Sequence, residues 1–283
     1  MSETGPEIDW TPGENRFTPA AWWRDIRVAA AFLTRLPIFG RGVAGGGEEI
    51  GGEEGEEEAF PVGDLRVASR AFPIVGLGVG LAGAVVLVVA KWAGLGGFVA
   101  AVLAISTTIA ATGALHEDGL ADAADGFGAG RDREAKLAIM RDTRLGAFAV
   151  LALAISLMLR VGALDGIDGS FAAAAALIAA ASFSRAVLPA VMAGLEHARP
   201  HGLAVTAGKP PQESVIVSLV LGAVFVLFLL GPETGFVALL CGAATAVGLA
   251  ALAQAKLGGF TGDVLGAIQQ GTEIAVLLAA AAS

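Results

Sequence analysis

Residues 96–115 read GGFVAAVLAISTTIAATGAL, and residues 116–146 continue HEDGLADAADGFGAGRDREAKLAIMRDTRLG. Twenty uncharged residues run directly into a dense run of mixed charge. As a helix, twenty residues cover about 30 Å, the thickness of a bilayer's hydrocarbon core. The pairing predicts a membrane span that delivers polar chemistry at its end.

The same apolar pattern recurs at 72–93, 146–163, 170–194, 214–231, 235–255 and 263–282. The expected fold is all-α, a polytopic integral membrane bundle of about seven transmembrane helices. Composition agrees, with 55% hydrophobic and 16% charged residues and a mean hydropathy of +0.72. A soluble domain carries about 25% charged residues. Small residues such as Gly76, Gly78 and Gly80 sit where close helix contact needs them.

Ahead of the spans, residues 1–18 read as a polar tail without the pattern of a signal peptide. Residues 19–35 set Trp22, Trp23, Ile26, Phe32 and Leu33 against Arg24, Arg27 and Arg35, as in an amphipathic helix at a membrane interface. Residues 41–59 are rich in Gly and Glu and are expected to form a disordered acidic loop. Residues 19–283 otherwise read as one membrane-embedded catalytic domain. Seven glutamates at positions 48–58 supply much of the net charge of −9, and an acidic balance argues against a nucleic-acid partner. Cys241 is the only cysteine, so no intrachain disulfide is available.

Lys and Arg set orientation. Fifteen of the 18 fall in the N-terminal region or in the connections after the second, fourth and sixth spans. Lys91 and Arg160 are assigned to the opposite side, and Arg185 lies within a span. All motif-bearing connections are therefore expected on the cytoplasmic face of the cell membrane.

Asp118, Asp122 and Asp125 follow an i, i+4, i+7 spacing, which aligns them on one helical face. Like charges so placed repel, and a hard divalent cation is the simplest compensation. Arg131, Arg133, Arg141 and Arg144 follow, a set suited to phosphate oxygens, with Asp142 among them. Acids for a metal followed by cations for an anion point to phosphoryl or nucleotidyl transfer with Mg²⁺. The other reading is a solvated connector, which would scatter its acids. Arg185 needs a partner inside the membrane, a phosphate or a carboxylate. Asp263 opens the last span near the same face, and Gln269, Gln270, Thr272 and Glu273 lie deeper along it. His116 precedes the acids as a general base or as an orienting group. His197 and His201 flank Arg199 in a loop.

The run His116-x-Asp118-Gly-Leu-Ala-Asp122-x-x-Asp125-Gly126, with Ile139-Met-Arg-Asp-Thr-Arg-Leu-Gly146, closely resembles the signature of the cobalamin synthase family (adenosylcobinamide-GDP ribazoletransferase). Phe32–Pro37, Arg70–Gly76, Ala198–Leu203 and Gly258–Asp263 resemble further family pieces in the family's order. The resemblance implies a transfer between adenosylcobinamide-GDP and α-ribazole, or α-ribazole 5′-phosphate, giving adenosylcobalamin or its 5′-phosphate and GMP. Asp118, Asp122 and His116 would be catalytic. Asp118, Asp122, Asp125, Asp142 and Asp263 would supply Mg²⁺ ligands. Arg131, Arg133, Arg141, Arg144, Arg185 and Arg199 would hold substrate. Partners would be those substrates and the lipid bilayer, with homo-oligomerisation left open. Two other classes are weighed. One is a CDP-alcohol phosphotransferase, whose pattern has arginine where Asp122 stands. The other is a transporter with Asp122, Arg185 and Glu273 as an ion relay.

Overall fold

The computed structural model describes residues 17–36 and 63–283. The first 16 residues and the acidic stretch 41–59 lie outside them. The described residues form helices α1 (Pro19–Leu33), α2 (Gly63–Ala68), α3 (Phe72–Trp92), α4 (Gly97–Thr112), α5 (Leu115–Ala129), α6 (Arg133–Ile139) and α7 (Ala147–Gly166). After these come α8 (Ser170–Ala186), α9 (Leu188–Gly194), α10 (Leu203–Ala207), α11 (Gln212–Leu230), α12 (Pro232–Leu257) and α13 (Gly262–Ala281). The one β-type pairing among them is an isolated bridge between His197 and Phe260.

Six segments are long and apolar enough to cross a membrane: Leu65–Trp92, Ala147–Gly166, Ser170–Gly194, Gln212–Leu230, Pro232–Leu257 and Gly262–Ala281. The expected span at 96–115 is different. Its helix α4 stops at Thr112, because Gly113 (φ 62°) and Ala114 (φ 59°) both take left-handed backbone. Glycine adopts that conformation freely, and Ala114 is the only non-glycine residue to do so among those described. The chain bends by 91° and α5 leaves in a new direction. We therefore count α5 as a helix packed on the bundle and not as a span.

Close contacts between glycines and alanines join α3 to α8. A Cβ placed on Gly76 would lie 2.3 Å from the Ala181 carbonyl oxygen, and one on Gly80 would lie 2.7 Å from the Ile178 Cα. Without side chains at these positions the backbones touch, and dispersion over that close contact replaces the hydrophobic drive that lipid removes.

Cross-links show which helix ends lie together. Asp125 near the end of α5 binds the start of α7. Arg133 binds the last carbonyl of α12. Ser214 of α11 binds the Val67 carbonyl ahead of α3. At the other end, a Cβ on Gly97 would meet Asp165 of α7. The motif-bearing loops thus share one end of the bundle, as the charge count implied. Helix α1 packs at this end through Val28, Ala29, Ala30 and Leu33, with Trp23 exposed. The buried Arg70 ties it down, donating to Asp25 Oδ2 at 2.7 Å and stacking over the Trp22 ring.

Candidate active site

At the motif end, a cleft of about 350 Å³ opens between α5, α13 and the loop 197–202. Phe32, Phe72, Leu188 and Phe260 form its apolar wall, and His116, Asp118, Arg199 and Asp263 face it. The chain's three histidines, His116, His197 and His201, all line it.

Helix α5 carries the acids because it crosses α13 without intervening side chains. A Cβ on Gly119 would lie 3.0 Å from the Asp263 carbonyl oxygen, and one on Gly266 3.0 Å from the Gly119 Cα. This approach brings Asp118 and Asp122 up to Asp263. Asp118 is exposed and Asp122 half-buried. Burial and the Asp118 and Asp263 carboxylates push the Asp122 carboxyl up to about 7, against the pull of Arg199. A set of mutually repelling hard oxygens of this kind suits a divalent cation.

Not every expected ligand joins them. Asp125 is turned away: its two oxygens accept the backbone N–H groups of Gly146 (2.6 Å) and Ala149 (2.9 Å). It caps α7, whose free N–H groups and dipole favour a carboxylate there. Asp142 lies at the surface in an ion pair with Arg144 at 2.6 Å, which holds its carboxyl at about 2. Among the described residues, no three His, Cys, Asp or Glu side chains are grouped tightly enough to hold a metal ion alone. That does not conflict with Mg²⁺, which takes one or two carboxylates and completes its shell with water and substrate phosphate. Asp118 and Asp122, backed by Asp263, fit that requirement; a five-carboxylate cage does not form.

The expected phosphate clamp is also redistributed. Arg133 is committed to the backbone, donating to the carbonyls of Leu257 (2.7 Å) and Ala198 (2.6 Å). Arg144 is committed to Asp142. Arg185 lies in the core, 2% exposed, donating to the Ala181 carbonyl and 3.6 Å from Glu273. Its partner is a carboxylate of the protein, so the substrate role expected of it is corrected. Arg199 lines the cleft and donates to Asp263. Arg131 and Arg141 are exposed.

A polar network fills the bundle core: Gln269, Gln270 and Glu273 bond to neighbouring helices and Glu273 is the carboxylate expected beside Arg185, whereas the part of Arg160 and Glu117 in it was not anticipated. Arg160 is 1% exposed and donates to Glu117 (3.0 Å) and Glu273 (3.4 Å), so its assignment to the far membrane side is also corrected. Gln270 links Ser156, Glu117 and Gln269, and Gln269 reaches Ser184 and Glu273. A lone arginine at a helix centre costs about 2.5–3.5 kcal/mol even on insertion scales. Two arginines against two glutamates remove most of that penalty. Asp122 has no bond in this network, so the Asp122–Arg185–Glu273 relay required of a transporter is not formed. The signal in the sequence was Arg160, an arginine set among apolar residues. His116 adjoins the network with neither ring nitrogen partnered.

The chain is similar to known proteins over nearly its whole length. A family model described as cobalamin-5-phosphate synthase matches residues 25–281. A relative from Bradyrhizobium diazoefficiens, named adenosylcobinamide-GDP ribazoletransferase, is 43% identical over 91% of this chain and 93% of its own. Relatives of the same name from Azorhizobium caulinodans (42%; 90% and 94%) and Mesorhizobium japonicum (43%; 90% and 92%) are equally similar. No solved structure matches the chain. A match spanning nearly the whole length, with relatives above 40% identity, places the chain in the cobalamin-5-phosphate synthase family.

Proposed function

We propose that the chain is the membrane transferase that joins adenosylcobinamide-GDP to α-ribazole, making adenosylcobalamin and releasing GMP in the final assembly step. With α-ribazole 5′-phosphate as acceptor, the product is the 5′-phosphate of adenosylcobalamin. The names of the relatives support the reaction. The observation that carries the site is the meeting of Asp118, Asp122, Asp263 and Arg199 at the mouth of one cleft.

In this reading a ribose hydroxyl of the acceptor attacks the phosphorus attached to the cobinamide. The new P–O bond forms as the phosphoanhydride bond to GMP breaks, and GMP carries away the negative charge. Asp118 and Asp122 would hold Mg²⁺, which when bound supplies positive charge to the diphosphate. Arg199 faces the same phosphates and steadies them through its fixed position on Asp263. Arg131 and Arg141, exposed beside the site's helices, draw the diphosphate in. His116, or a carboxylate not holding the cation, takes the hydroxyl proton. The cleft holds a group of nucleoside size, so the corrin ring rests at its mouth.

The surplus of Lys and Arg at the motif end supports a cytoplasmic orientation in the cell membrane. The test uses purified protein in detergent with adenosylcobinamide-GDP and α-ribazole. GMP release that needs both substrates and Mg²⁺ is the expected result; release without Mg²⁺ removes the metal role.

A further inference from the structure

Helix α5 is anchored on a face turned away from its acids. Glu117 and Asp118 are adjacent, so about 100° of helical rotation separates them. Asp118 is exposed at the cleft. Glu117 is 8% exposed and accepts hydrogen bonds from Arg160 of α7 (3.0 Å) and Gln270 of α13 (3.1 Å). Arg160 continues to Glu273, which also accepts from Gln269 at 2.7 Å and lies 3.6 Å from Arg185 of α8. Four helices thus meet on two guanidinium and two carboxylate groups.

Apolar packing would hold spans together at lower cost in lipid, so the network calls for a reason. The reason lies in how α5 is supported. By itself it is not among the helices long and apolar enough to cross a membrane, and it follows a sharp break at Gly113 and Ala114. Its contact with α13 is backbone against backbone at Gly119 and Gly266. Such a contact has no knobs and does not fix how far one helix slides along the other. A hydrogen-bonded ion pair has one good register, since any slip strands a buried charge.

We propose that Glu117 and Arg160 are positioning residues for the transfer. They set the register of α5 on α13 so that Asp118 and Asp122 stay opposite Asp263. Neither touches substrate; each acts through the helix that carries the acids. The inference rests on the functional reading above for its kinetic test and on geometry alone for its structural one.

The kinetic test compares Glu117→Gln, Arg160→Lys and the charge-neutral pair Glu117→Gln/Arg160→Met with the parent, each corrected for folded fraction. Glu117→Gln and the pair should lower kcat at least tenfold and raise half-saturating Mg²⁺ at least fivefold. KM for adenosylcobinamide-GDP should stay within twofold, and Arg160→Lys should recover kcat to within threefold of the parent. The structural test replaces Cys241 by Ser and places spin labels at Ala129→Cys, the end of α5, and Lys256→Cys, on α12. The label-to-label distance should be narrowly distributed in the parent and at least twice as broad with Glu117→Gln. Unchanged kcat, Mg²⁺ dependence and distance distribution in Glu117→Gln overturn the proposal. If the parent releases no GMP, the functional reading fails, and the distance measurement still decides the positioning role.

Discussion

Arg199 donates to Asp263 at the mouth of the cleft, where Thr261 donates to the same carboxylate oxygen at 3.1 Å. The pair joins the loop 197–202 to the start of α13 and offsets one of the acids facing Asp122. Arg199→Ala exposes that acid, and Asp263→Asn leaves the arginine without its anchor. Each single change should lower kcat/KM for adenosylcobinamide-GDP by ten- to a hundredfold. The double variant should lose little more than the worse single one, because residues in direct contact couple by about 0.5–3 kcal/mol. A double-mutant cycle on kcat/KM measures this; strict additivity would mean that the two act separately.

Asp118→Ala and Asp122→Ala remove the carboxylates assigned to the metal. Both side chains are at least partly exposed. Transfer should fall at least a thousandfold while membrane insertion and purified yield stay at parental levels. Substantial GMP release from either variant would remove that residue from the site.

The Asp122 carboxyl, at about 7 against an unfolded value of 3.8, gives a pH signature. Between those values the fold binds a proton that the unfolded chain does not. Metal-free stability therefore falls as pH rises through this window and levels off above about 7. A cation bound at Asp122 must displace the same proton. Half-saturating Mg²⁺ should fall by up to about tenfold per unit from pH 5.5 to 7 and then flatten. In Asp122→Asn the slope should vanish. Titration of the Mg²⁺ dependence of activity across pH reads both effects.

All seven expected spans appear as helices within about three residues, because long apolar runs leave the backbone no choice but helix. What hydropathy does not carry is direction: the left-handed pair Gly113 and Ala114 ends the span at 96–115 and turns the chain by 91° into α5. Asp118 and Asp122 were placed together by helical periodicity. Asp125 shares that periodicity, but the start of α7 takes its carboxylate, a partner 21 residues on that spacing within one helix cannot reveal. Arg133 and Arg144 were read by charge, and both are spent on the protein itself, Arg133 on carbonyls distant in sequence and Arg144 on its neighbour Asp142. Arg160 was counted by its nearness in sequence to a loop, whereas the fold gives it two glutamates from other helices.

Asp125 now carries a structural expectation. Asp125→Ala removes the cap of α7 and should cost about 1–2 kcal/mol of stability. Asp125→Asn keeps one acceptor oxygen and should cost less. For the folded fraction, half-saturating Mg²⁺ should stay within twofold of the parent. Thermal unfolding in detergent and the Mg²⁺ titration separate the two roles. A large rise in the Mg²⁺ requirement with unchanged stability would return Asp125 to the metal.

The crossing of α5 and α13 gives the sharpest test of how spacing controls the site. On Gly119→Ala the new Cβ meets the Asp263 carbonyl at 3.0 Å and the Cα atoms of Asp263 and Gly266 at 3.1 Å. All of these atoms are backbone, so no side chain can swing aside and the helices must separate. Asp118 and Asp122 then move relative to Asp263. Misplacement of about 1 Å can cost a hundredfold in rate, so a loss of ten- to a hundredfold in kcat is expected. Gly162→Ala on α7 is the control, since nothing lies within 4 Å of its new Cβ. Alanine is the better helix former there by about 1 kcal/mol. That variant should keep parental kcat and unfold at the same or a higher temperature. Parental activity in Gly119→Ala would show that the acids tolerate a wider crossing than this geometry requires.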